Sequence, residues 1–142
     1  MSLWEQIQRL WNDQPEVIHL RRGRLGEKAA RRHLQHLGLK FLTANYASRR
    51  GEIDLIFRDG GCLVFVEVKT RSSDSWTRPA KAVNARKRRL LSLTALDYLR
   101  EIRHPQVPIR FDIVEVILNE DVIGEIRHLP NTFSLTPPYR YG

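Results

Sequence analysis

Cysteine is almost missing: Cys62 is the one thiol in 142 residues. That excludes a disulfide framework and a zinc site built on several thiolates. Cys62 is expected in a strand of a protein kept in a reducing compartment. No apolar run approaches the ~20 residues of a membrane-spanning helix. No basic segment followed by an uninterrupted apolar one opens the chain. A soluble cytoplasmic protein with no stable membrane insertion is expected. There is no Gly-rich phosphate loop of Walker or Rossmann type, no Gly-x-Ser-x-Gly elbow and no internal repeat. Acid is scarce beside base, with 16 Asp and Glu against 24 Lys and Arg and a net charge of +8. Such a balance favours a polyanionic partner, nucleic acid or an anionic membrane surface. What is present, 42% hydrophobic and 28% charged residues, suits one globular domain.

Ser2 and Glu5 have capping-box spacing. Leu3, Trp4, Ile7, Leu10 and Trp11 recur at helical intervals, so residues 2–12 read as a short amphipathic helix. A second helix is predicted over Leu25–Leu37, stopped by Gly38, with Ala30, Leu34 and Leu37 inward. Three strands follow, at about Lys40–Tyr46, Glu52–Arg58 and Cys62–Thr70. A long helix is expected over Pro79–Ile102, burying Val83, Leu90, Leu91, Tyr98 and Ile102. Two more strands, Ile109–Leu118 and Val122–Leu129, precede an extended tail. The order αβββαββ, behind the short N-terminal helix, predicts an α/β fold: a mixed sheet flanked by helices. Residues 1–20 read as a helical extension, 21–130 as the α/β domain and 131–142 as the tail.

The turn Asp59-Gly60-Gly61 sets a hairpin register. A two-residue Gly-Gly loop puts Asp54 opposite Glu67, with Lys69 two residues on along the same face. Two opposed carboxylates destabilise a hairpin unless something neutralises them, and a divalent cation does so naturally. Magnesium keeps several waters on so sparse a site, and one of them can serve as nucleophile. Lys69 is placed to orient or deprotonate that water. The run Leu63–Val68 is apolar on both faces apart from Glu67, as a central covered strand would be. Glu27 falls on the inward stripe of the second helix and needs a partner: an Arg, an N-terminal amide or a metal. Lys87 falls on the inward stripe of the long helix.

Two basic runs flank this cluster. Arg21, Arg22, Arg24, Lys28, Arg31 and Arg32 stand against one acid, Glu27; Arg78, Lys81, Arg86, Lys87, Arg88 and Arg89 stand against none. With Arg49, Arg50 and Arg71 they make a candidate phosphate-tracking surface. His33 and His36 have i,i+3 spacing but no third ligand.

The segments Gly51-Glu52-Ile53-Asp54-Leu55-Ile56 and Phe65-Val66-Glu67-Val68-Lys69-Thr70-Arg71 resemble the bacterial YraN-like family. That family is related in fold to archaeal Holliday junction resolvases and restriction endonucleases. Gly26-Glu27-x-x-Ala30, Asn45-Tyr46 and Arg110-Phe111-Asp112 carry the same resemblance, which spans roughly residues 22–129. It implies a PD-(D/E)xK nuclease core, with Ile53 standing where the motif's proline would be. By that analogy Asp54 and Glu67 are metal ligands, Lys69 is the catalytic lysine, and Val68 lends a backbone carbonyl to the metal. Glu27 matches a first-helix glutamate of the resolvase branch, and Lys87 a basic residue of the second helix.

Two functions are therefore expected in competition. One is a magnesium- or manganese-dependent endonuclease acting on branched or structured DNA, with DNA favoured over RNA. The alternative is a nucleic-acid-binding or DNA-processing accessory module without cleavage. Symmetric action on two strands would call for a homodimer.

Overall fold

The computed structural model describes residues 1–73, 83–135 and 140–141. Helix α1, Leu3–Asn12, is closed by the Ser2–Glu5 capping box, each side chain bonded to the other's backbone N–H. Its five apolar residues, from Leu3 to Trp11, are all exposed.

Helix α2 spans Pro15–His36 and so starts ten residues before the predicted helix. Pro15 is its opening residue. A proline there loses no hydrogen bond and has its φ already helical. The far end is as expected: Gly38 takes φ +97°, the left-handed stop. Ala30 and Leu34 are fully buried, but Leu37 is 54% exposed because the helix ends before it can turn inward.

The sheet comprises β1 (Lys40–Ser48), β2 (Gly51–Asp59), β3 (Cys62–Ser72), β4 (Ile109–Asn119) and β5 (Val122–Phe133), in that spatial order. Only β3 and β4 run parallel. Helix α3, Ala85–Glu101, lies on the crossover that a parallel pair requires. It begins later than predicted: Asn84 caps it by accepting from Lys87 N, so Val83 and Asn84 lie outside the helix, and residues 79–82 fall outside the described set. The buried side is set by Leu91, Ala95 and Leu99, not by Leu90 and Ile102, which are each 38% exposed. Strand β5 continues past the predicted end at Leu129, through Pro130. As an edge strand it can hold a proline without losing a ladder bond.

Two cores result. Under α2, Ala30 and Leu34 pack on Leu55, Phe57, Val64, Val66 and Val114. Under α3, Leu91, Ala95 and Leu99 pack on Ile53, Ile56, Phe65, Phe111 and Ile113. β3 is covered on both faces, as its continuous apolar run requires, and so is its parallel neighbour β4. The architecture is α/β, a mixed five-stranded sheet between helices.

Candidate active site

Midway along β3 the apolar run is interrupted by Glu67, and here the polar groups meet. The β2–β3 register follows the Gly60-Gly61 turn from Asp59↔Cys62 to Leu55↔Val66. One step further stand Asp54 and Glu67. There Asp54 Oδ2 accepts from Val68 N at 2.8 Å. A carboxylate is thereby fixed at the mouth of the hairpin.

Glu67 is 5% exposed and shares one oxygen between two ammonium groups: Lys69 Nζ at 3.6 Å and Lys87 Nζ at 3.4 Å. Lys87 comes from the first turn of α3, so the Asn84 cap that starts the helix also sets where its lysine stands. Burial, then the charge of Asp54, pushes the Glu67 carboxyl up to about 7, although both lysines pull the other way. Burial also raises Asp54, against its hydrogen bonds with Val68 N and Glu67. Glu27, half-buried on α2, is raised by burial and then by Asp54 and Glu52. It is therefore in electrostatic reach of Asp54. Between α2 and the end of β3 lies a cavity of about 440 Å³ that includes Glu27, Val68 and Lys69 in its lining.

The donor set is hard oxygen, which suits magnesium or manganese. Asp54 raises the pKa of the buried Glu67 beside it, and a cation here would relieve that repulsion. Among the described residues no group of three or more His, Cys, Asp or Glu side chains is placed to hold a metal ion, so Glu27 does not join Asp54 and Glu67 as a third carboxylate ligand in this arrangement. A cation here would keep much of its water. His33 and His36 accordingly form no such group; His33 is half-buried and its pKa is lowered by burial, then by His128 and His36.

The basic candidates divide by partner. Arg21 and Arg22 both bind Asp121, and Arg50 binds Asp97 at 2.6 Å. Arg31 stacks its guanidinium over Phe41, and Arg88 donates to Val83 O. Arg24, Lys28, Arg49, Arg86 and Arg89 are exposed and have no ion pair among the described residues. Lys81 and Arg78 lie outside the described residues.

Two buried acids were given no role by the sequence reading. Glu115, in register with Lys69 on the neighbouring strand, is wholly buried with neither oxygen hydrogen-bonded. Its nearest ion-pair partner, Arg127, is 4.0 Å away. Its signal was the same as that of Glu67, one acid inside the apolar run Ile113–Leu118. Asp112, also fully buried, gathers Arg110, His128 Nε2 at 2.7 Å and Asn131 N at 2.9 Å. Burial alone would raise its pKa, and these bonds reverse the shift to a lowered one.

The fold and this centre define a class: an α/β domain with acid and lysine side chains meeting on a central strand. The chain belongs to the family described as "Uncharacterised protein family UPF0102", the YraN-like family, whose model matches residues 26–116. It is similar to a UPF0102 protein of Pseudomonas fluorescens strain Pf0-1, 38% identical over 120 residues that span 84% of this chain and 98% of that one. A UPF0102 protein of Trichlorobacter lovleyi is 40% identical over 114 residues, 80% of this chain and 90% of the relative. Another, from Syntrophus aciditrophicus, is 44% identical over 103 residues, 72% and 81% of the two chains. No helix among the described residues is long and apolar enough to cross a membrane.

Proposed function

We propose that this chain is a divalent-metal-dependent endonuclease that hydrolyses phosphodiester bonds in branched or structured DNA. The observation that supports this most is Glu67, a buried carboxylate beside Asp54 with Lys69 and Lys87 both within 3.6 Å. Buried charge of this kind is costly to a fold and is kept where chemistry uses it. Asp54, Glu67 and the Val68 carbonyl would hold magnesium or manganese, and Glu27, in electrostatic reach of Asp54, would join them through a metal-bound water. When bound, the metal would supply charge neutralisation at the scissile phosphate and a more acidic water. Lys69 orients that water or takes its proton, and Lys87 stabilises charge on the phosphate oxygens. Exposed Arg and Lys on α2 and α3 hold the flanking phosphates.

The test is cleavage of a labelled panel (four-way junction, flap, single strand, duplex and structured RNA) with magnesium, manganese or EDTA. Wild type is expected to cut at least one branched DNA only with metal. Asp54→Ala and Lys69→Ala should lose at least a hundredfold in rate while still binding. Cleavage by both variants at the wild-type rate would overturn the assignment. The second reading, a binding module without turnover, is favoured by one observation: Glu67 already has both lysines as partners. Salt-sensitive binding with no cutting under any metal would select it.

A further inference from the structure

Helix α1 is ten residues long and buries none of them. Helices shorter than ~12–15 residues are marginal in water unless something packs on them. Leu3, Trp4, Leu10 and Trp11 are 62–78% exposed, and Ile7 between them belongs to neither core. An apolar face of this kind on an otherwise charged surface marks an interaction site.

The pattern of the face identifies its occupant. Leu3 and Trp11 stand four residues either side of Ile7, and Trp4 and Leu10 three. At 3.6 residues per turn all five fall within an arc of about 120° centred on Ile7. Glu5, Gln6, Gln8, Arg9 and Asn12 take the rest of the circumference. A face symmetric about its own midpoint is what a two-fold contact between identical helices requires. Paired antiparallel, Leu3 and Trp4 of each copy meet Leu10 and Trp11 of the other, and Ile7 meets Ile7 on the axis. The rest of the chain follows the C-terminal end of α1, so this pairing carries two chains of +8 away from opposite ends of the seam. Parallel pairing would crowd them at one end.

Charge argues against a membrane as the occupant. A helix that lies on an anionic membrane carries Lys and Arg on its polar face. Helix α1 has one acid and one base, Glu5 and Arg9. The bases that begin the run on α2, Arg21 and Arg22, are held by Asp121.

We propose that α1 is a dimerisation element, pairing antiparallel with α1 of a second copy of this chain. Two closed faces remove on the order of 600 Å² per chain, below the ~800 Å² per partner of a standard interface. The dimer is therefore a micromolar, reversible one. Helix α1 lies before residues 26–116, where the family model matches. The pairing does not rest on the nuclease reading, because it is measured as mass and not as cleavage.

Sedimentation velocity of the full chain from about 1 µM to about 200 µM should show a monomer–dimer equilibrium within that range. Ile7→Glu puts two carboxylates on the axis and should weaken association at least tenfold, with the thermal midpoint of the dilute protein unchanged. Ile7→Lys should do the same. An equal mixture of the two variants should recover a dimer, which a helix merely unwound by substitution would not do. Orientation is read by mild oxidation in a Cys62→Ser background. Leu3→Cys mixed with Leu10→Cys should cross-link at least tenfold faster than either alone. A monomer at every concentration, or a dimer that both Ile7 variants leave intact, overturns the proposal. So does faster cross-linking of either cysteine variant alone, which would make the pair parallel. A monomer that floats with anionic vesicles, and loses that on Ile7→Glu, would assign the face to a membrane instead.

Discussion

Glu67 is where the folded chain gives up stability. Its carboxyl is pushed up to about 7 from an ordinary 4.5, mainly by burial. In the pH range between those values the folded state holds a proton that the unfolded chain has released. Stability therefore falls as pH rises through this range and stays lower above it. At ~1.4 kcal/mol per unit the loss is about 3 kcal/mol at most. Glu67→Gln removes the charge and keeps the shape. Lys69 and Lys87, 27% and 42% exposed, can then turn to water. The variant should be more stable than wild type by about 1–3 kcal/mol at pH 8, with little gain at pH 5, as urea unfolding at the two values would measure. An equal or lower midpoint at pH 8 would refute this account of Glu67. Asp112 is the contrasting residue: equally buried, it is given Arg110, His128 and Asn131 N as partners, and its pKa is held low.

Between elements, the decisive contact is the crossing of α2 over β3. Gly26 sits against Thr70 with no space for a methyl group. In an exposed helix, replacing Gly by Ala gains about 1 kcal/mol. At this crossing overpacking should reverse the sign, so Gly26→Ala is expected to cost about 1–3 kcal/mol in chemical denaturation; an unchanged or raised midpoint would show that the helix can back away. Gly26 was legible in the sequence only as part of a motif, since its reason is a partner far along the chain, Thr70. The same division holds elsewhere. Local signals were readable: the Ser2–Glu5 box, the Gly38 stop and the Gly60-Gly61 register out to Leu55↔Val66. The apolar run around Glu67 marked β3 as central. Context set what was missed. Pro15 opens a helix instead of breaking one because Glu16 to His36 continue as helix behind it, and Pro130 is tolerated because β5 is an edge. The cavity beside Glu27 and Val68 exists only where α2 meets the end of β3, so no pattern along either segment could reveal it.

Across the whole molecule the charge of +8 is not spread over equivalent side chains. Some bases are bound internally. Arg50 holds Asp97 through two nitrogens and reaches the Leu93 carbonyl at 3.2 Å, tying the β1–β2 turn to α3. Others face water: Arg24 and Lys28 line a groove between α2 and the β1–β2 edge beside Asn45 and Leu55. If nucleic acid is the partner, only the second kind releases counterions on binding. Each phosphate contact then adds about 0.9 to the slope of log affinity against log salt. Replacing Arg24 and Lys28 together by alanine should lower that slope by about 2 on a flap or junction and weaken binding roughly tenfold or more at about 100 mM salt. Arg50→Ala should leave the slope alone and instead lower the unfolding midpoint, because Asp97 loses its main partner. Fluorescence anisotropy over a salt series, run beside thermal unfolding, separates the two. An unchanged slope in the double variant would move the nucleic-acid surface off α2, to the Arg86–Arg89 end of α3.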